Sequence, residues 1–247
     1  MEGILPDSRR QLRLDLTLPV RVRGDECAGA EWTQLTRFVN ANQIGARFAL
    51  THPVELGRLV HITSKLPGQL RCFDFDAPEY SVWAIVTNID FIQTPPNLRL
   101  EVGVAFIGPR PPDGYRANPS QLYRIAEAPT PYRLWTICEH PPEDAPSATR
   151  LTTRHPVALE LELQTFAVKG QPAQSEITVT ENLSYTGAAV YTSLNLARGR
   201  FVNLVNRRYK LSLLAVVRTQ RLGADGQIRL HLEFVDKKCA ENLKNVL

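Results

Sequence analysis

The chain has 247 residues, 43% of them hydrophobic and 22% charged, a composition that is typical of a folded globular protein and excludes a disordered chain. The longest apolar runs, such as residues 211–217, are far shorter than the roughly 20 residues of a membrane span, and the first residues lack the apolar core of a signal peptide. We therefore expect no transmembrane segment and a cytoplasmic location. The four cysteines are dispersed without metal-ligand spacing, which fits a reducing compartment and predicts no metal site.

Charge is distributed unevenly along the chain. The formal net charge is +4, but residues 148–247 alone contain 14 basic and 8 acidic residues, and the remainder has a slight acidic excess. A basic excess confined to one part of a protein favours a binding site for a phosphate-bearing ligand in that part. We therefore expect an anionic ligand to bind the C-terminal half.

Four segments, taken in chain order, alternate apolar and polar residues with a period of two, as half-buried strands do. The apolar positions are Leu14, Leu16, Leu18 and Val20; Leu98, Leu100, Val102 and Val104; Val157, Leu159, Leu161 and Leu163; and Ile228, Leu230, Leu232 and Phe234. Turn-forming residues at 94–97 and 222–226 predict hairpins. Several short antiparallel strands within about 90 residues predict a small closed barrel, because closure removes exposed sheet edges.

A repeat indicates that the chain is an internal duplication. Two arginines and three further residues recur at nearly constant spacing. At an offset of 141, Arg9 and Arg13 recur as Arg150 and Arg154; at an offset of 142, Asn40, Gly45 and Gly57 recur as Asn182, Gly187 and Gly199. We predict two tandem domains, residues 1–112 and 148–247.

The segment between the copies, residues 113–147, is predicted to be a proline-rich linker. Residues 109–147 contain half of the 18 prolines, which excludes a central strand or a long helix. Asn118 as an N-cap with Pro119 at the first helical position predicts a short helix over residues 120–127, and the rest of the linker is expected to be stiff and extended. A second short helix is expected at residues 237–247, covering one barrel end.

The second copy contains two motifs in a characteristic order. It reads Arg150-Leu-Thr-Thr-Arg154, then a predicted strand, then Asn182-Leu-Ser184-Tyr-Thr-Gly187. This pair of motifs, RxxxR and [D/N]xSxxG, resembles the signature of PilZ domains, and the resemblance covers nearly all of residues 148–236. It implies an all-β fold of two tandem six-stranded antiparallel barrels. It also implies that these five motif residues bind cyclic di-GMP.

The chemistry of that ligand explains the residue types of the motifs. Cyclic di-GMP presents two phosphates and two guanines, and an arginine such as Arg150 or Arg154 can form bidentate bonds to phosphate or to a guanine O6/N7 edge, and can also stack on a base. Asn182 and Ser184 have polar groups two residues apart, which point the same way from an extended strand end. Gly187 allows the backbone to approach closely or to adopt a positive φ.

The first copy departs from the pattern and is predicted to provide a weaker second site or none. Its corresponding residues are Arg9, Arg10, Arg13, Asn40, Asn42 and Gly45. Asn42 stands where the family has Ser, and its larger side chain is expected to obstruct a close-packed site. The other interpretation of this copy is a structural or partner-binding barrel.

The predicted function is that of a non-enzymatic receptor or adaptor, with no cofactor other than its ligand, cyclic di-GMP. No nucleophile elbow, phosphate loop or dinucleotide fingerprint is present, and the five histidines are isolated in the sequence. Ligand is expected to order the arginine segment, reorient the barrels and change contact with a downstream protein partner. Two alternatives stay open: an interaction module without ligand, and a basic barrel that binds RNA or single-stranded DNA. We expect no DNA or RNA partner, because the motif strands lack surface aromatics interleaved with basic residues.

Overall fold

The computed structural model describes residues 14–27, 30–94, 97–130, 133–140, 153–168, 172–235 and 243. The chain forms two closed six-stranded antiparallel β-barrels, which confirms the predicted all-β class. A short strand, β1 (Leu14–Asp15), precedes the first barrel and pairs with β3. The barrel strands are β2 (Pro19–Cys27), β3 (Ala30–Asn42), β4 (Gly45–Leu50), β5 (Leu59–Ser64), β6 (Tyr80–Gln93) and β7 (Arg99–Gly108). Their order is β3-β2-β5-β6-β7-β4, and pairing between β3 and β4 closes the ring.

The segment that joins the barrels contains a hairpin, and the expectation of a helix over residues 120–127 is wrong. The only helical turn that the structure describes in this segment is a 3-10 turn at Asp113–Arg116. Asn118 ends up in a single turn that Gln121 N closes at 3.0 Å, and the chain then forms β8 (Tyr123–Glu127), which pairs with β9 (Thr136–Glu139).

Tertiary contacts explain why a strand forms at Tyr123–Glu127 instead of a helix. The N–H of Tyr123 donates to the carbonyl of Gly57 in the first barrel at 2.9 Å. Side chains on both sides of this contact form one apolar cluster, which includes Trp83 and Ile85 of the barrel and Tyr115 and Tyr123 of the linker. The described part of the linker therefore packs against the outer face of the first barrel, and that contact outweighs the local capping signal.

The second barrel repeats the first strand by strand. Its strands are β10 (Glu160–Thr165), β11 (Ser175–Leu183), β12 (Gly187–Thr192), β13 (Phe201–Asn206), β14 (Leu211–Leu222) and β15 (Ile228–Phe234). They close in the order β10-β11-β12-β15-β14-β13. The predicted hairpin turns join β6 to β7 and β14 to β15. The helix expected at 237–247 lies outside the described residues except for Leu243, which is fully buried in the core of this barrel.

The two barrels share an apolar cluster. Phe201, Leu214 and Val216 of the second barrel are buried in the cluster that contains the core of the first barrel. At the edge of this contact, the loop between β4 and β5 contributes Glu55 and Arg58, which are 4% and 3% exposed. Such buried charges are stable only when they are paired.

The buried charges of this loop are paired across the interface. Glu55 accepts from Arg58 Nε at 2.6 Å and from Arg218 Nη2 of the second barrel at 2.9 Å. Arg58 Nη2 also donates to the carbonyl of Gly199 at 3.2 Å, and Arg218 Nε donates to Glu233 at 2.5 Å. A continuous chain of ion pairs therefore runs from Arg58 in the first barrel to Glu233 on β15 of the second.

Candidate functional site

The residue that follows the second predicted arginine lies against the motif strand. His155 pairs with Leu183: its N–H donates to the Leu183 carbonyl at 2.8 Å, and its carbonyl accepts from Leu183 N at 2.9 Å. Arg154 therefore lies directly beside the Asn182-to-Gly187 motif, with an exposed side chain. Arg150 lies outside the described residues, as do Arg9, Arg10 and Arg13 of the first copy.

The corresponding pairing exists in the first barrel, where Leu14 pairs with Ala41. Leu14 and His155 each follow the second arginine of their copy, and Ala41 and Leu183 occupy the same place in their motif strands. Both copies thus bring the segment before the barrel alongside the motif, and this part of the architecture does not distinguish them.

Ser184 shapes the turn of the motif. It is 4% exposed, its hydroxyl donates to the Gly187 carbonyl at 3.1 Å, and its oxygen accepts from Gly187 N at 3.2 Å. In the first barrel, Asn42 performs a similar task, because its Oδ1 accepts from Ile44 N at 3.1 Å. Both side chains form local turns of the kind typical of Ser and Asn, so the difference between them leaves the turn in place.

Gly187 and Gly45 are required by the close approach of a neighbouring strand. A Cβ atom built on Gly187 would lie 2.2 Å from the Leu232 carbonyl oxygen, and one on Gly45 would lie 2.4 Å from that of Val104. Close approach, not a positive φ, is thus the reason for glycine at both positions.

Asn182 presents an acceptor that has no protein partner. Its Oδ1 is buried and has no hydrogen bond among the described residues, and Asn40 Oδ1 in the first barrel is in the same state. Most buried polar atoms in native proteins are hydrogen-bonded, so an orphaned carbonyl oxygen needs an explanation. A hydrogen-bond donor from outside the described residues would satisfy Asn182.

Asn182 begins a row of residues that crosses the strands of the second barrel. It pairs in register with Ala189 on β12, Ala189 pairs with His231 on β15, and His231 pairs with Thr219 on β14. We call these four residues the second row. Next to it, Arg221 pairs with Arg229.

The first barrel has a row in the same register with different side chains. Asn40 pairs with Arg47, Arg47 with Gly103, and Gly103 with Asn88; we call these four residues the first row. Arg47 thus stands where the second row has Ala189, and Gly103 stands where it has His231.

The residues beside the rows have opposite charges in the two barrels. By register, Asp90 and Glu101 of the first barrel occupy the places of Arg221 and Arg229. Arg47 is bound to both carboxylates, at 2.6 Å to Glu101 and 3.3 Å to Asp90. The first row is therefore covered by an internal ion triad, in which the charge of Arg47 is already neutralised.

Positive charge accumulates around His231 in the second row. Burial lowers the pKa of His231, and the guanidinium groups of Arg221, Arg154 and Arg229 lower it further, while Glu181 acts in the opposite direction. Neither Arg154 nor Arg221 forms an ion pair or hydrogen bond with another described residue, so both are available to an anion.

Arg229, in contrast, is already engaged. Its two terminal nitrogens each donate to Asp225 at 2.8 Å, and its Nε donates to Glu181 at 2.7 Å. Its guanidinium also lies 4.9 Å from the centre of the Tyr191 ring. Because these contacts hold its guanidinium in place, Arg229 has less charge available to a ligand than Arg154 or Arg221.

The motif analysis missed Ala189, Arg221 and His231. Each lies on a strand other than the motif strand β11, and only the pairing of strands brings them to Asn182. The alternation in Ile228–Phe234 does indicate that Arg229, His231 and Glu233 share the outward face of one strand. The sequence offers no signal for which residues of the neighbouring strands lie beside them.

Other features of the described residues do not add a competing site at the motif. They contain no group of three or more His, Cys, Asp or Glu side chains that could hold a metal ion. One cavity of about 600 Å³ lies between Trp32, His52 and Phe166, and another of about 1140 Å³ lies along the linker; neither is lined by a motif residue. Within the described ranges, no helix has the length and apolar character needed to span a membrane.

Comparison with known proteins gives matches only among solved structures. No protein-family model and no curated protein matches the chain. The inhibitor of motility MotI/DgrA of Bacillus subtilis is 12% identical, with 94% of this chain and 99% of that chain covered and a TM-score of 0.30. MrkH of K. pneumonia in complex with c-di-GMP is 8% identical, with coverage of 93% and 86% and a TM-score of 0.32. YcgR of Escherichia coli in complex with c-di-GMP is 10% identical, with coverage of 93% and 82% and a TM-score of 0.29. At these TM-scores the likenesses carry no argument about this chain.

Proposed function

We propose that the protein is a cytoplasmic, non-enzymatic receptor for cyclic di-GMP. The ligand is held on the outer face of the second barrel by Arg150, Arg154, Asn182, Ser184 and Gly187. The observation that carries the proposal is the pairing of His155 with Leu183, which brings Arg154, the second arginine of the RxxxR motif, beside the NxSxxG motif. Arg154 and Asn182 are 28 residues apart in sequence.

The charges and polar atoms of this place match the ligand. Arg154 and Arg221 have no partner in the described part of the chain, and each can form charge-assisted bonds to a phosphate or to the O6/N7 edge of guanine. Asn182 Oδ1 can accept from the guanine N1–H or N2–H. Ser184 acts by keeping the turn in shape, so that the backbone at Gly187 can approach the ligand.

The ion-pair chain provides a route from the ligand site to the interface between barrels. Glu233 is the register partner of Gly187, so it lies beside the end of the motif. It binds Arg218, which binds Glu55 of the first barrel. A bound ligand that changes the Arg218–Glu233 ion pair also changes the contacts of Glu55. The barrels then reorient and present a different surface to a downstream protein partner.

Calorimetric titration of the full chain with cyclic di-GMP tests this proposal, with GTP and cyclic AMP as control ligands. We expect one saturable site that neither control occupies with comparable affinity. The absence of heat, together with no competition by any guanine nucleotide, would overturn the receptor function.

A second candidate function is a protein-interaction module without ligand. It is favoured by the hydrogen bonds of Ser184, whose side chain is already engaged within its own turn. A module of this kind does not bind cyclic di-GMP, so Arg154→Ala changes nothing in the titration. In a receptor, the same substitution lowers the affinity for cyclic di-GMP.

A further inference from the structure

We propose that His231 is a further ligand-binding residue of the second barrel, which donates a hydrogen bond from a protonated imidazole to a ligand phosphate, so that binding takes up a proton. This inference rests on the proposed receptor function and extends its site from the motif to the neighbouring strands. Nothing in the RxxxR or NxSxxG pattern includes this residue.

The register of the strands places His231 within reach of a ligand that contacts Asn182. Neighbouring strands lie roughly 4.8 Å apart, so the two residues, separated only by Ala189, are on the order of 10 Å apart across the barrel face. Ala189 is fully buried, so a dinucleotide bound by its guanine at Asn182 extends toward His231 above a position that the protein already covers. The imidazole is half-buried and lies close enough to Arg154 for the charge of that residue to lower its pKa.

The surroundings of His231 favour protonation only when an anion is bound. The charged groups that face it are Arg221 on β14, Arg229 on β15, Arg154 before β10 and Glu181 on β11, and β12 contributes the uncharged Ala189 and Tyr191. Burial and the charges of Arg221 and Arg154 disfavour protonation of the free imidazole, while Glu181 acts in the opposite direction and Asp225 already neutralises part of the charge of Arg229. Two ligand phosphates neutralise this local positive charge, and a cationic imidazole then gains a charge-assisted hydrogen bond.

The sign of the resulting pH dependence follows from these charges. The pKa of His231 lies below its ordinary value in the free protein and rises when the anion binds. Between the two pKa values, binding takes up as much as one proton, so affinity increases as the pH falls, by at most about tenfold per pH unit. The phosphodiesters of the ligand do not titrate in this range.

The first barrel supports the same inference by contrast. Gly103 occupies the place of His231 in the first row and has no group that could contact a phosphate. The first barrel also contains a residue for a matched control. His61 is half-buried and lies away from the row, and its pKa is lowered by burial and by Arg23 and Arg21. His61→Gln removes a histidine of similar character that does not face the ligand site.

The experiment is calorimetric titration of the full chain with cyclic di-GMP between about pH 6 and pH 8, in pairs of buffers with different ionisation enthalpies. We expect proton uptake on binding by the wild type and by His61→Gln. His231→Gln is expected to bind without proton uptake, with roughly tenfold lower affinity at the acidic end and little change at the alkaline end.

Each other outcome has a distinct meaning. If cyclic di-GMP does not bind the wild type at any pH, the receptor function itself fails, and the assignment of His231 fails with it. If the wild type binds without proton uptake, or if His231→Gln keeps the full pH dependence, the assignment of His231 is overturned while the receptor function stands. Melting temperatures of the variants check that both fold.

Discussion

The two barrels have the same architecture at the motif and opposite chemistry beside it. In both, the preceding segment pairs with the motif strand, a polar side chain forms the turn, and a glycine lies against the carbonyl of the next strand. The residues that differ are on the neighbouring strands, where Asp90 and Glu101 bind Arg47 in one barrel and Arg221 pairs in register with Arg229 beside the row in the other. The motif thus specifies a shape, and the face around it decides whether an anion is attracted.

This comparison changes the explanation of the first copy. The sequence suggested that Asn42, larger than the family's Ser, obstructs the site. In the structure Asn42 is 6% exposed and forms its turn through a hydrogen bond to Ile44 N. Arg47 and its two carboxylates lie on the face beside the motif, and their net negative charge disfavours an anion there.

The largest effect is expected where the barrels are alike. Gly187→Ala and Gly45→Ala each place a Cβ against a carbonyl oxygen of the paired strand, so each should lower the free energy of unfolding by about 3 kcal/mol. Denaturant unfolding followed by circular dichroism measures this loss. Gly114→Ala is the matched control: its nearest contact is a side-chain oxygen of Glu139 at 3.8 Å, and it should change stability by less than about 0.5 kcal/mol. A tolerated Gly187→Ala would show that the strand can move away.

The next prediction concerns the cation that the second barrel supplies. Arg154→Ala should weaken cyclic di-GMP binding by about 1.5 to 3 kcal/mol, roughly tenfold to a hundredfold, and Arg154→Lys should not restore it because lysine lacks the planar fork. Titration calorimetry measures both. Arg207→Ala, whose side chain is 90% exposed, removes the same charge away from the motif and should have little effect. Rescue by lysine would instead indicate nonspecific attraction to a basic barrel.

A third prediction concerns a histidine of the first barrel that has no counterpart in the second. Burial, and then the charge of Arg200, lower the pKa of His52 to about 3. Below about pH 6.5, His52 binds a proton in the unfolded chain but not in the folded chain. The contribution of His52 to the free energy of unfolding is therefore fully present above that pH and is lost as the pH falls toward 3. Unfolding at pH 5 should require about 2 kcal/mol less than at pH 7 through this residue.

Comparison of His52→Gln with the wild type isolates this contribution. The variant should show a flatter pH dependence of stability, measured by denaturant unfolding with tryptophan fluorescence. The probe is local, because the Trp32 ring is stacked on His52 at a centroid distance of 4.4 Å. An unchanged pH profile in the variant would assign the acid sensitivity to other groups.

The smallest effect is expected when one residue is exchanged between the rows. Ala189→Arg introduces the side chain of the first row into the second and should weaken cyclic di-GMP binding by at least about tenfold, roughly 1.4 kcal/mol, because it covers the row. The reciprocal Arg47→Ala should create no measurable site in the first barrel, since Asp90 and Glu101 remain. If Arg47→Ala alone creates a second site, charge beside the row is not what separates the barrels.

Much of the fold was predictable because it depends on neighbours in sequence. Alternation at Leu159, Leu161 and Leu163 indicates a strand with one buried face, and all three side chains are in the core of the second barrel. The linker was harder to predict. Asn118 followed by Pro119 is a sound capping signal, but the contact of Tyr123 with Gly57 and the packing against Trp83 depend on residues far away in the chain, and they favour a strand.

By itself, the sequence determined that the chain is a duplication of strand-rich units, with an arginine pair and an NxSxxG motif in the second. These features are local, because a period of two and a short motif each depend on residues within one segment. Only the tertiary structure decided which side chains face Asn182. That choice depends on strand register, since a shift by one residue would turn His231 and Arg229 away from the face that they share and bring Leu230 outward. The opposite charges beside the two rows are therefore a property of paired strands, which no single segment contains.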